Sequence, residues 1–239
     1  MINTLALTDY TLAEVCNSDL GGSKSLLIEG IGNCMSYMVG ALNRNGCVIA
    51  TDSLLTIHLP NYTYTVSDFK KVFYNSKNQL FWGVVGQYGQ NEELLHLMNE
   101  TIKEKDYPAL QKTVKEYFQS HPTLHSVINI FICEFNDTPV LHILDFVNGE
   151  FQENVYQSCS AFYAGSNHNM DNSLGLLSQI NQMSLDELVQ KSKDTIQKAE
   201  QIEHYIQSQN SYYPISIGGD TIYAYMGNDG VIHSNGIEL

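Results

Sequence analysis

The chain has 239 residues, of which 43% are hydrophobic, and this length and composition predict one large domain with a single substantial core. Its formal net charge of −14 and its single arginine exclude a nucleic-acid-binding protein, because a phosphate backbone requires a basic surface. No apolar run approaches the roughly 18 residues that cross a bilayer, and the N-terminus lacks the basic region of a secretory signal, so we expect a cytoplasmic protein without a membrane partner.

Cysteine and histidine usage bears on metal and disulfide chemistry. The five cysteines are odd in number and include no Cys-x-x-Cys pair, which argues against a disulfide framework and against a structural zinc site. The eight histidines form no cluster with the spacing of metal ligands. We therefore expect neither a metal nor a cofactor.

The chain divides near residue 36. Residues 1–35 include a glycine-rich stretch, GGSKSLLIEGIGN, that lacks helical or strand periodicity. We interpret residues 1–35 as an N-terminal extension or propeptide outside the core. Residues 36–239 are then the folded domain.

The folded domain opens with a predicted hairpin. Two apolar segments, 37–43 and 47–56, flank the turn Arg44-Asn45-Gly46, and Asn-Gly is a strong short-range hairpin signal. Two further strands are predicted at 70–75 and 79–86, on either side of a polar turn.

Two helices and a second group of strands follow. Residues 91–105 repeat apolar side chains at helical spacing, and residues 108–120 begin with a proline, which favours a first helical turn. Strands are then predicted at 126–135, 139–147 and 160–166.

A second pair of helices, 168–183 and 184–209, precedes closing strands at 215–226 and 230–235. The later helix opens with Ser184-Leu185-Asp186-Glu187, where the serine and the glutamate can form a capping box.

This order of elements predicts the fold class. Strands, two helices, strands, two helices and strands suit two sheets packed face to face with a helix pair on each outer side. We therefore predict an α+β fold, a four-layer αββα sandwich. A doubly wound fold would alternate single strands and helices, whereas this chain groups them.

Four residues carry the chemical signal. Ser36 directly precedes the first strand, and Asp52 follows it by sixteen residues, at the end of the second strand. Lys71 lies in the context Phe-Lys-Lys-Val, and Gly86 follows the apolar segment Trp-Gly-Val-Val. These segments resemble the opening of proteasome β-type subunits, and more closely the bacterial proteasome-type family called the ancestral β-subunit. Both are N-terminal-nucleophile (Ntn) hydrolases.

The resemblance implies a role for each of these residues. Ser36 is the expected nucleophile, with Asp52 and Lys71 as its charged partners and the Gly86 amide facing the oxyanion. Gly165-Ser166 resembles a later turn of the family, so that Ser166 would orient the amine. The implied activity is hydrolysis of peptide or small amide substrates by a homo-oligomeric ring or stack, and the sequence does not specify an ATPase partner.

General chemistry supports the same assignment. A hydroxyl needs a base within hydrogen-bond reach, and a first-residue serine can use its own α-amine, whose ordinary pKa is about 7.7–8.0. A nearby Lys71 ammonium would lower the pKa of that amine, and Asp52 would hold the ammonium in place. A backbone amide at Gly86 would stabilise the oxyanion.

Several alternatives stay open on the sequence. Asp52 could bond only its own turn, and Lys71 could be a solvated residue at a strand edge. Cys34 is a rival nucleophile, although its spacing to Asp52 is two residues too long for the family. Met35 stands where processed proteasome subunits usually have glycine, and an intact extension would block the amine.

Two functional alternatives also stay open. The family has an aspartate and a serine just ahead of a late Gly-Gly, where this chain has Pro214 and Ile217, with Ser216 one position away. The chain could therefore be a catalytically silent proteasome-like protein that serves in assembly or binding. It could equally be a small-molecule amidase, since one fold hosts several chemistries.

Overall fold

The computed structural model describes residues 36–59, 62–86, 92–104, 106–121, 128–147, 150–165, 179–209 and 216–239. The predicted extension, 1–35, lies outside the described residues, and so does the candidate site residue Ser166.

The described part of the chain forms strands and α-helices, in chain order β1 (Tyr37–Asn43), β2 (Gly46–Asp52), β3 (Leu55–Leu59), β4 (Tyr62–Val66), β5 (Val72–Asn75), β6 (Leu80–Gly86), α1 (Glu92–Glu104), α2 (Tyr107–Ser120), β7 (Ile128–Asn136), β8 (Thr138–Val147), β9 (Glu150–Tyr156), β10 (Ser160–Gly165), α3 (Leu185–Gln209), β11 (Thr221–Gly227), β12 (Ile232–Ser234) and β13 (Ile237–Glu238). A 3-10 turn at Ile180–Gln182 precedes α3.

A five-stranded sheet has the order β10-β1-β2-β11-β12. Its central hairpin, β1–β2, confirms the predicted turn, with Asn43 opposite Gly46 and Met38 opposite Thr51. Every residue of β1 and β2 is buried, which explains their nearly continuous apolar sequences. The register of this hairpin brings the start of β1 beside the end of β2.

A six-stranded sheet has the order β13-β5-β6-β7-β8-β9. From β5 to β9 neighbouring strands are antiparallel, whereas β13 pairs in parallel with β5. Only two residues, Asn235 and Gly236, separate β12 in one sheet from β13 in the other. The end of the described chain therefore steps directly between the two sheets.

Two strand predictions are corrected here. The predicted strand 47–56 breaks after Asp52, and its last residues begin β3, which pairs with β4 as a separate hairpin. The predicted strand 70–75 begins only at Val72, so that Lys71 precedes β5 instead of lying in it. The strands β4, β9 and β13 were not predicted.

Three of the four predicted helices are present, as α1, α2 and α3. In α2 the Asp106 side chain accepts a hydrogen bond from the Ala109 amide, and the proline lies in the first turn. The capping box of α3 is confirmed, because the Ser184 amide donates to Glu187 Oε2 at 2.7 Å and the Glu187 amide to Ser184 Oγ at 3.3 Å. Only residues 179–183 of the predicted helix 168–183 are described, and they hold the 3-10 turn.

Three apolar clusters hold these elements together. The first joins β5–β8 to α1 and α2, with Trp82, Leu94 and Leu110 among its members. The second joins β1, β2 and β10 to α3. The third contains residues from both large sheets, such as Ile49 and Phe131. This mixed α and β content is compatible with a proteasome-like fold, and none of the described helices has the length and apolarity that a membrane crossing requires.

Candidate active site

Ser36 lies at the open end of the β1–β2 hairpin, directly before β1, and is 5% exposed. Its hydroxyl oxygen is 2.6 Å from Nζ of Lys71. On its other side is Gly165, whose φ of +136° is in the region that favours glycine. A Cβ at Gly165 would stand 2.0 Å from the Ser36 carbonyl oxygen, so this position next to Ser36 has no room for a side chain.

Lys71 is fully buried. Its ammonium donates to Ser36 Oγ at 2.6 Å, to Asp52 Oδ2 at 2.9 Å and to the Leu54 carbonyl at 2.6 Å. A lysine ammonium carries three donors and no acceptor, and these three acceptors match it. The alternative of a solvated lysine at a strand edge is therefore wrong. A cation can be buried here because it is paired and hydrogen-bonded.

Asp52 ends β2 and is buried. Its Oδ1 accepts from the Tyr37 amide at 3.1 Å, and its Oδ2 accepts from the Leu54 amide at 3.0 Å and from the Gly218 amide at 3.4 Å. Asp52 thus bonds its own turn and also holds Lys71. Burial raises the pKa of this carboxyl above its ordinary value, and the Lys71 ammonium with the Tyr37 and Leu54 amides opposes that rise.

Ser53 fixes the segments around this ion pair. Its amide donates to the Gly218 carbonyl at 3.2 Å, and its carbonyl accepts from the Phe69 amide at 3.0 Å. The Ser53 hydroxyl also donates to the Ser67 carbonyl. These bonds tie the segment that leads into Lys71 to the residue that follows β2, and they explain why the strand predicted through this point is interrupted.

Glu203 is a second buried carboxylate near the site, and sequence reasoning missed it. Its Oε2 accepts from the amides of Ser216 and Ile217, at 2.8 and 2.6 Å, and its Oε1 accepts from the Ser216 hydroxyl at 2.5 Å. A signal was available, because Glu203 continues the buried face of α3 at spacings of three and four residues: Leu188, Ser192, Thr195, Ala199 and Glu203.

The remaining predicted residues are placed as follows. Gly86 ends β6 opposite Ile128, and its φ of +133° favours glycine. Its role towards Ser36 stays a prediction. Ser166 lies outside the described residues, next to Gly165. The structure therefore brings Ser36, Asp52 and Lys71 together.

No family model matches the chain, and no curated protein matches it. Among solved structures it is similar to Anbu from Hyphomicrobium sp. strain MC1, with a TM-score of 0.59 and 12% sequence identity over 84% of this chain and 87% of that chain. The fold is proteasome-like. At this identity the likeness shows the fold alone, and at that level it agrees with the resemblance found in the sequence.

Proposed function

We propose that the protein is an N-terminal-nucleophile hydrolase that cleaves amide bonds, in particular peptide bonds, with Ser36 as the nucleophile after removal of residues 1–35. The observation that carries the proposal is the 2.6 Å contact between Ser36 Oγ and a buried Lys71 ammonium, which is itself paired with Asp52 at 2.9 Å. A charged lysine has little structural reason to be buried against a serine hydroxyl.

Lys71 acts in this proposal as a cation and not as the base. As an ammonium, Lys71 directs its three donors at Ser36, Asp52 and Leu54 and has no lone pair to accept a proton. A fixed positive charge lowers the pKa of a neighbouring hydroxyl and stabilises negative charge on its oxygen. The base is then the α-amine of Ser36, which becomes free when the Met35–Ser36 bond is broken.

The reaction has two half-steps. The α-amine takes the hydroxyl proton of Ser36 while Oγ bonds to the substrate carbonyl carbon, and the tetrahedral intermediate collapses as the C–N bond breaks and the proton passes to the leaving amine. Water, deprotonated by the same α-amine, then hydrolyses the ester and restores the hydroxyl. The Gly86 amide is proposed to face the oxyanion, and Ser166 to orient the α-amine.

Removal of the extension can use the same groups. The Ser36 hydroxyl attacks the Met35 carbonyl, and the C–N bond breaks, so that an ester forms on Oγ and the amine is released. Water then hydrolyses the ester and leaves a carboxylate on Met35. In this step Lys71 stabilises the oxygen, and a water molecule must move the proton, because the α-amine does not yet exist.

The three apolar clusters also support a proteasome-like arrangement of layers. Two of the apolar clusters each join one large sheet to helices, and the third joins the two sheets. We infer from them a four-layer αββα sandwich with the site at one end of the inner layers. From the likeness of the fold we also infer a homo-oligomer, a ring or a stack, whose mass in solution sedimentation can measure.

A second candidate is a catalytically silent proteasome-like protein. The observation that favours it is that Ser36 is 5% exposed and carries Met35 on its nitrogen in the full chain. In that case the ion pair would be retained only as a structural element, and the protein would serve in assembly or binding.

Intact-mass spectrometry combined with a peptide hydrolysis assay separates the two. A chain expressed from Met35 loses its initiator methionine because serine is small, and it should hydrolyse peptide or amide substrates that Ser36→Ala does not. The full-length chain should be slower until a species that begins at Ser36 accumulates. A shortened chain that is folded and inert across a broad panel would instead favour the silent protein.

A further inference from the structure

Glu203 has an unusual environment for a buried acid. It is fully buried, and among the described residues no lysine, arginine or histidine nitrogen lies within the 4.0 Å of an ion pair. Its partners are instead the two amides and the hydroxyl of the 216–217 segment. Two backbone N–H groups directed at one oxygen fit the ionised form. Burial of an unpaired carboxylate costs stability, which a structural role alone would avoid.

The segment that Glu203 holds leads to the candidate site. Directly after Ile217, the Gly218 amide donates to Asp52 Oδ2 at 3.4 Å, and the Gly218 carbonyl accepts from the Ser53 amide at 3.2 Å. The same Oδ2 accepts from Lys71. Hydrogen bonds from Glu203 to Ile217, and from Gly218 through Asp52 and Lys71 to the Ser36 hydroxyl, are therefore joined by the single Ile217–Gly218 peptide bond.

The charges of the two carboxylates also interact. Burial is the main cause that raises the pKa of Glu203, the hydrogen bonds from Ser216 and Ile217 oppose it, and the negative charge of Asp52 adds to the rise. In the structure the two carboxylates accept from the amides of adjacent residues, Glu203 from Ile217 and Asp52 from Gly218, and the Lys71 ammonium is bonded to Asp52.

We propose that Glu203 is a positioning residue of the Ser36 site: it fixes the 216–218 segment against Asp52 and supplies a second negative charge that favours the protonated forms of Lys71 and of the Ser36 amine. This inference rests on the proposed function. It assigns to α3 a part in the reaction, although α3 contributes no group that touches the substrate.

Replacing Glu203 by glutamine removes the negative charge of the side chain and keeps nearly the same shape. The amide oxygen of Glu203→Gln can still accept from the amides of Ser216 and Ile217, so the segment keeps its position. The negative charge is lost. A purely structural Glu203 would therefore leave the pH profile of the site unchanged when replaced by glutamine, whereas an electrostatic one would displace it.

The matched control is Glu153 in β9. Its carboxylate accepts from the Tyr107 hydroxyl at 2.5 Å and from the Gln111 side chain, at the packing of α2 on the other sheet. Glu153 Oε1 also lies 3.6 Å from His142 Nδ1, a cationic partner that Glu203 lacks. Glu153→Gln thus removes one charge from a hydrogen-bonded, partly buried acid that has no described bond to the Ser36 site.

The experiment compares the wild type, Glu203→Gln and Glu153→Gln, each in the chain that begins at Ser36. Acylation of Ser36 by a peptidyl β-lactone is followed by intact mass across a range of pH. The lactone ring opens on Oγ, so the full probe mass is added. In Glu203→Gln the acid limb of the rate should move to lower pH by about half a unit or more, because loss of a nearby negative charge lowers the pKa of the amine. Glu153→Gln should keep the wild-type profile.

A second measurement does not depend on turnover. In a protein labelled with [ε-13C]lysine, the NMR signal of Lys71 is identified as the one that is missing in Lys71→Met. The titration midpoint of the Lys71 signal should fall in Glu203→Gln. In Glu153→Gln that midpoint should stay at the wild-type value. Wild-type acylation with an unshifted pH profile and an unshifted Lys71 signal in Glu203→Gln would overturn the positioning role alone. A wild-type chain that the lactone never acylates would overturn the proposed function, and this inference with it.

Discussion

At the turn end of the β1–β2 hairpin the buried polar groups are neutral, whereas at its open end they are charged. Near the turn, Asn43 Nδ2 donates to the Ile180 and Met183 carbonyls at 3.0 and 2.9 Å, and Asn43 Oδ1 accepts from the Asn45 amide at 2.8 Å. Asn45 Nδ2 also donates to the Met183 carbonyl, at 2.7 Å, so two amide side chains bond that end without an ionised group. Buried polar groups of this hairpin can therefore be satisfied by neutral hydrogen bonds alone, so the buried charges of the Lys71–Asp52 pair at the other end point to a role beyond hydrogen bonding.

The largest expected effect is at the charged end. Lys71→Ala should lower the acylation rate of Ser36 by about a thousandfold, because the hydroxyl loses the cation that stabilises its oxygen. Lys71→Arg should fail as well, since a planar guanidinium cannot reproduce the three contacts of the ammonium. Circular dichroism should show that the fold persists. The neighbouring Lys70, which is half-buried, provides the control. Equal Ser36 acylation rates in Lys70→Ala and Lys71→Ala would show that Lys71 has no role in the reaction.

The neutral end should respond in stability and not in chemistry. Asn43→Ala removes the acceptor of the Asn45 amide and one donor each from the Ile180 and Met183 carbonyls, although the Met183 carbonyl still accepts from Asn45 Nδ2 at 2.7 Å. The expected cost is about 2 kcal/mol in the free energy of unfolding. Urea denaturation measures that loss, and the acylation rate of the folded protein should stay at the wild-type level. A large fall in rate without a loss of stability would contradict the division between the two ends.

Helix α3 runs from the neutral end to the charged end, and its two termini allow a finer test. Burial raises the pKa of Glu203 above its ordinary value of 4.5, so the acid destabilises the folded state increasingly as pH rises from 4.5 through the raised pKa. Glutamine does not titrate. The stability of Glu203→Gln relative to the wild type should therefore increase with pH over that interval, as measured by urea denaturation at several pH values. A difference that is independent of pH would show that burial does not perturb Glu203.

The smallest effect is expected at the other end of α3. Ser184→Ala removes one half of the capping box with Glu187 and should cost about 0.5–1 kcal/mol of stability. The pH profile of Ser36 acylation should not change. A displaced profile would mean that the start of α3 also influences the site.

The sequence predicted the part of the site that hairpin register determines. Strands that pair through an Asn-Gly turn must bring the residue before β1 beside the residue that ends β2, and the Tyr37 amide indeed donates to Asp52. The lysine was found from its local context, although it was predicted inside the strand. That error has a physical cause, because the bonds of Ser53 hold the chain that leads into Lys71 outside the sheet.

Other features depend on contacts between distant segments and were therefore not predicted. Glu203 meets Ser216 and Ile217 only through the packing of α3, and nothing local to its own segment specifies those partners. The β3–β4 hairpin was also missed, although alternating Thr and Tyr in Tyr62–Val66 favour a strand. Gly86 could be located from the sequence, but the direction of its amide towards a substrate could not.

The two-residue connection between β12 and β13 has a consequence for local unfolding. Two residues can extend by only about 7 Å, and a Cβ at the second of them, Gly236, would lie 2.3 Å from the Val72 carbonyl oxygen. The edges of the two sheets are therefore held at a fixed separation directly beside Lys71. In hydrogen-exchange terms, we expect the amides of β5 and β12 to lose protection together, as one cooperative unit, so that local unfolding which frees the C-terminal segment also exposes the lysine.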